Sequence, residues 1–124
     1  MINYDGRVFR PVSNENGEVG ADTVFVYRQT GRIVTSTYSG GSIQVGHLLG
    51  LVDDEGRIEF SYHQVNTAGE LRTGVCRTTP EVLPDGRLRL HEEWRWTSGD
   101  GSSGRSVLEE EPSPGPIGDP RAGE

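Results

Sequence analysis

Between positions 87 and 98 the residues Leu88, Leu90, Trp94 and Trp96 all fall on even numbers, and between 57 and 68 so do Ile58, Phe60 and Tyr62. A period of two puts alternate side chains on opposite faces of an extended chain and predicts strands. These are the longest stretches free of both Gly and Pro, twelve residues each, and neither carries the 3.6-residue repeat of a helix.

Turn chemistry divides the remainder at regular intervals. Asn14-Glu15-Asn16-Gly17, Asp53-Asp54-Glu55-Gly56 and Leu83-Pro84-Asp85-Gly86 each end in a Gly that accepts a positive φ. Thr30-Gly31-Arg32, Gly40-Gly41, Thr67-Ala68-Gly69-Glu70 and the run Gly99 to Gly104 complete the set. Eight strands are predicted between them, at 3–12, 23–30, 32–39, 42–53, 57–66, 70–79, 87–98 and 105–110. Short connections make sequence neighbours into antiparallel hairpins. An all-β meander without helices to cover it has two open edges, and closure removes both. The expected fold is therefore an eight-stranded antiparallel up-and-down barrel, with a two-sheet β-sandwich as the alternative. One domain is expected over 1–111, followed by a flexible tail rich in Pro and Gly over 112–124.

Apolar parity then assigns an interior. In the fourth strand Ile43, Val45, Leu49 and Leu51 share a face with His47; in the sixth, parity is weaker, with Leu71, Thr73, Val75 and Arg77 opposed to Arg72, Gly74, Cys76 and Thr78. In the seventh, Leu88, Leu90, Trp94 and Trp96 enclose Glu92. A carboxylate in an apolar face is costly if ionised and alone, so Glu92 should be paired, protonated or beside a wet cavity. Arg77, Tyr62 and His47 are its expected partners, walled by Trp94, Trp96, Phe60 and Tyr38. Apolar walls with a few converging polar groups describe a small-molecule pocket. The same pattern also fits a buried Arg77–Glu92 ion pair that fixes register in a filled barrel.

Composition narrows the chemistry. Of 124 residues, 12 are basic and 19 acidic, giving a net charge of -7 that argues against nucleic acid as a partner. All the basic residues are Arg, so Schiff-base lysine chemistry is excluded. A lone cysteine, Cys76, makes no internal disulfide or zinc cluster and reads as a small wall residue. The absence of a long apolar run and of a signal-like start makes the cytoplasm the expected location, with no membrane partner. His63 and His91 sit at the polar parity of strands separated by the sixth, so no metal site is expected, and no cofactor is implied. Ser98 to Ser103 is Gly- and Ser-rich but opens no helix, and reads as a turn rather than a phosphate cradle. Gly46, Gly50 and Gly74 lie within strands and suggest bulges or close backbone approach.

Several segments together carry a family resemblance: Asn3-Tyr4-Asp5-Gly6-Arg7, Phe9-Arg10-Pro11-Val12, Tyr38-Ser39-Gly40-Gly41, Leu83 to Glu92 and Trp94 to Ser102. The chain resembles a family of small uncharacterised bacterial β-barrel-like proteins that often carry the label N-acetylglutamate synthase, and the likeness extends to about Glu110. The label implies an acetyl-CoA loop of the form Arg/Gln-x-x-Gly-x-Gly/Ala opening a helix. The nearest string here, Arg28-Gln29-Thr30-Gly31-Arg32-Ile33, lacks the last small residue and leads into a strand. The residues do not support the label.

The first expectation for function is a binding barrel similar in architecture to lipocalin-like and avidin-like proteins, holding a small, partly apolar molecule among Trp94, Trp96, Phe60, Tyr62 and Tyr38 with Glu92 and Arg77 as anchors. A second is a barrel-type cyclase or isomerase in which Glu92 acts as acid or base with Tyr62 or His47. A third is a filled structural barrel that works through protein contact, such as a homodimer formed through an exposed sheet face.

Overall fold

The computed structural model describes residues 2–14 and 18–112. Within them the chain forms eight antiparallel strands: β1 (Val8–Asn14), β2 (Val24–Thr30), β3 (Ile33–Gly40), β4 (Ile43–Val52), β5 (Ile58–Asn66), β6 (Leu71–Val82), β7 (Leu88–Trp96) and β8 (Ser103–Glu110). Each strand pairs with its sequence neighbours and β1 pairs with β8, so the sheet closes into a barrel. The sandwich alternative is thereby excluded. No described helix is long and apolar enough to cross a membrane. The turn expected at 14–17 and the tail expected beyond 112 fall almost wholly outside the described residues.

Strand limits differ from expectation where a particular group intervenes. The first strand starts at Val8 rather than residue 3, because Gly6 takes a φ of 79° and the segment before it turns across the barrel floor. β6 runs on to Val82 through Pro80, which pairs with Leu90 of β7. Pairing with β5 has ended by Thr78, so the N–H that Pro80 lacks lies beyond that ladder's last register pair.

Two parity assignments need correction. In β4 the register shifts between Ile43 and Val45, a bulge that reverses the facing of everything after it. Gly46, Leu48, Gly50 and Val52 are buried, Val45, Leu49 and Leu51 are exposed, and His47 lies on the outer face beside its cross-strand partner His63. In β6 the interior is taken by Gly74, Cys76 and Thr78, which leaves Arg77 outside. Arg77 bonds Glu59, its partner on β5, with Nη2–Oε2 at 3.0 Å.

Volume explains both outcomes. Interior rings face small residues across the ladder: Tyr38 opposite Gly46, Phe60 opposite Gly50, Tyr62 opposite Gly74, and Trp94 between Cys76 and Gly104. A Cβ on Gly74 would lie 2.3 Å from the Tyr62 hydroxyl. A small barrel cannot hold a large side chain at every inward position, so large and small residues alternate around it.

The two ends differ. The floor is plugged by Tyr4, Phe9 and Tyr27, with ring centroids 4.9 to 6.4 Å apart, over buried Ile58, Leu88, Leu90 and Leu108. At the other end β1 and β2 share only the register pairs Val8–Val26 and Phe9–Phe25, so the two strands part toward the rim. The segment from Glu18 to Asp22 connects back to β2 at that opening.

Candidate functional site

Above the floor plug the barrel contains a cavity of about 50 Å³. Its wall includes Phe25, Tyr38, Phe60, Tyr62, Trp94 and Trp96, together with Glu92, Gln64, Ser106 and Cys76. Six of the eight residues expected at the site, namely Glu92, Tyr62, Trp94, Trp96, Phe60 and Tyr38, line one space; His47 and Arg77 do not.

Strand alternation delivers the rings. Phe60 and Tyr62 on β5 and Trp94 and Trp96 on β7 are i, i+2 pairs, separated by the small inward residues of β6. The rings meet edge-on: Phe60–Tyr62 at 6.0 Å, Tyr62–Trp96 at 5.5 Å and Trp94–Trp96 at 5.8 Å. Interplanar angles of 61 to 68° are the tilted geometry that aromatic quadrupoles favour.

Glu92 is 8% exposed. Its closest polar partner is Thr78, whose hydroxyl donates to Oε2 across a long 3.4 Å. Among the described residues no cationic side chain pairs with it, since the expected Arg77 is outside. Burial therefore dominates and pushes the carboxyl up to about 8, with the Thr78 contact pulling weakly the other way. Burial likewise raises the Cys76 thiol, and the Glu92 charge adds to the effect, which disfavours a thiolate nucleophile. Two further interior groups, the Tyr27 hydroxyl and Ser36 Oγ, are buried without a hydrogen-bond partner among the described residues. Tyr27 and Ser36 face each other across the β2–β3 ladder.

The mouth is covered by Glu18 and Val19, neither of which stood out in the sequence. Glu18 Oε1 accepts from Gln64 Nε2 at 2.8 Å and Oε2 from Asn66 Nδ2 at 2.7 Å. Gln64 Oε1 in turn accepts from the Tyr38 hydroxyl at 2.8 Å, so the strap is joined to an interior ring through one amide. Arg72 approaches Glu18 at 3.5 Å and lays its guanidinium 4.0 Å from the Trp96 ring centroid. On the far side Trp94 Nε1 donates to Ser106 Oγ, Ser106 donates to Asn14, and Asn14 Nδ2 donates to the Val19 carbonyl, at 2.8, 2.9 and 3.0 Å. Both flanks of the strap are thus tied to rings of the cavity wall. Parity could have pointed to Gln64, which sits on the same face as Tyr62. Glu18 carried no signal, because it lies in a loop between two strands.

A family model described as an avidin-like protein matches residues 2–111. The chain belongs to the avidin-like family. The match covers the whole barrel, and nothing in it carries an acetyltransferase label. No curated protein matches the chain. Membership agrees with the closed eight-stranded meander and places the chain among small barrels whose architecture suits a small molecule.

The acid-base alternative loses one of its partners, because His47 stands on the outer surface with its ring centroid 5.5 Å from that of His63. His91 is also outside, with Nε2 2.9 Å from Glu81 Oε1. Among the described residues no group of three His, Cys, Asp or Glu side chains is gathered for a metal.

Proposed function

We propose that this avidin-like barrel binds a small, partly apolar molecule in its interior. The observation that carries the reading is the aromatic cavity with Glu92 in its wall and, among the described residues, no ionic partner for that acid. A barrel evolved only to fill itself gains nothing from a buried acid beside an empty space, since an apolar residue of similar volume would be more stable there. Drug-sized ligands occupy roughly 300 Å³ or more, whereas the cavity is about 50 Å³. The ligand is therefore a few heavy atoms in size, or the Glu18–Val19 strap moves aside to admit something larger. Trp94 and Trp96 report either case. Intrinsic fluorescence and thermal shift against a metabolite panel that includes biotin should give saturable quenching and a raised midpoint for at least one compound. A flat response across small and large ligands, before and after replacement of Glu18 by Ala, would count against an interior site.

The outer surface favours a second reading for the partner. The bulge in β4 turns Leu49 and Leu51 outward beside Ile33 and Val75, which are 37 to 63% exposed across β3 to β6. The Glu59–Arg77 pair borders this face and cancels its own charge. On a molecule of net charge -7, an apolar face without net charge is where two copies approach with least repulsion. A homodimer through this face is the partner we infer, tested by light scattering over a concentration range.

A further inference from the structure

The unpaired acid also bears on the chemistry of the ligand. We propose that the cavity takes a compact organic cation, a small amine or methylated ammonium, with its charge against the Glu92 carboxyl and its carbon surface on Trp94, Phe60 and Tyr62. This rests on the interior being a ligand site and specifies what occupies it.

Three features support the assignment. Glu92 is buried, lines the cavity and lacks any cationic partner among the described residues, so a complementary positive charge is the group missing from the site. The wall around it is built largely from aromatic side chains, a residue type whose rings attract cations through the quadrupole, Trp most strongly. The protein already uses this contact at the rim, where the Arg72 guanidinium rests on Trp96 at 4.0 Å. The long-range field agrees, because a net charge of -7 draws cations and turns anions away. The Glu18–Val19 segment lies across the mouth and favours a free small molecule over the side chain of a docked peptide.

Binding a fixed positive charge ionises Glu92, so the complex releases a proton wherever the free acid is neutral. The other titratable groups that face the interior are Tyr4, Tyr27, Tyr38, Tyr62 and Cys76. Burial raises all five, and they stay neutral through the range in which Glu92 titrates. At the rim, Glu18 is engaged by Arg72.

The test compares tetramethylammonium, charged at every pH, with tert-butyl alcohol, a neutral molecule of nearly the same shape, by calorimetry and Trp fluorescence on the full chain. Tetramethylammonium should bind at least tenfold more tightly than the alcohol near pH 8.5, and its association constant should rise about tenfold per pH unit between pH 6 and 8. Glu92→Gln should abolish the preference. Equal or tighter binding of the alcohol, or a tetramethylammonium affinity that ignores pH, would overturn the cation assignment while leaving an interior site standing. Should neither probe bind wild type at any pH while another compound saturates the Trp signal, the cation assignment alone falls; a silent panel removes the interior site as well. The pH series on wild type decides the matter even where Glu92→Gln fails to fold.

Discussion

The ring of Tyr38 occupies the space that a side chain at Gly46, its cross-strand partner on β4, would need: a Cβ there would lie 2.3 Å from Tyr38 Cε2. The pairing couples local backbone to the site, because the Tyr38 hydroxyl donates to Gln64 and Gln64 holds the Glu18 strap. Gly46→Ala should destabilise the barrel by about 1–3 kcal/mol through overpacking. Urea denaturation checks this, and pairing the substitution with Tyr38→Leu should restore part of the loss. A fully tolerated Gly46→Ala would mean that the ring has another seat.

Glu92 should set a pH dependence of stability. Its carboxyl titrates near 8 in the fold against 4.5 for the free side chain, so the native state holds the extra proton between these values. Stability then falls as pH rises from about 4.5 to about 8, by up to a few kcal/mol. Compared with wild type, Glu92→Gln should be similar near pH 5 and more stable near pH 8. Thermal melts at the two pH values measure the difference, and parallel curves for both proteins would refute it.

Removal of the strap's anchor should loosen the mouth. Glu18→Ala leaves the Gln64 and Asn66 amides and the Arg72 guanidinium without their shared acceptor. A loss of about 1–3 kcal/mol is expected, chiefly from the Gln64 amide, since Asn66 Nδ2 keeps its bond to Glu70. Acrylamide should reach Trp94 and Trp96 more readily than in wild type, as read by Stern–Volmer slopes.

Cys76 should be inert in the native protein. It is buried against Trp94, and burial raises its thiol. Maleimide labelling should proceed only in denaturant; rapid labelling without it would show that the barrel wall opens between β6 and β7.

If two copies meet through the outer apolar face, Leu49→Arg should shift the mass in solution toward the monomer without lowering the folding stability of the subunit by more than about 0.5 kcal/mol, the usual scale of a surface substitution. Light scattering at several concentrations provides the readout. An unchanged mass would place the interface elsewhere or dispense with it.

Alternation and turn residues in the sequence determined eight strands, their antiparallel order and closure, and placed Phe60, Tyr62, Trp94, Trp96 and Glu92 on interior faces. In β5 and β7 every inward position is apolar, aromatic or Glu92, apart from Gln64 and Asn66 near the rim of β5, so period two is visible without knowledge of neighbours. Tertiary structure alone decided β4 and β6. There the inward positions include glycines, Cys76 and Thr78, which carry little hydrophobic signal because rings from adjacent strands fill the space above them, while Leu49, Leu51 and Val75 face outward. A bulge at Ile43–Val45 moved His47 outside, and the volume required by Tyr62 and the indoles moved Arg77 outside. The unpaired state of Glu92 among the described residues is a consequence of both shifts: sequence could mark the acid as anomalous, but only the bulge in β4 and the packing of β6 took its expected partners His47 and Arg77 away.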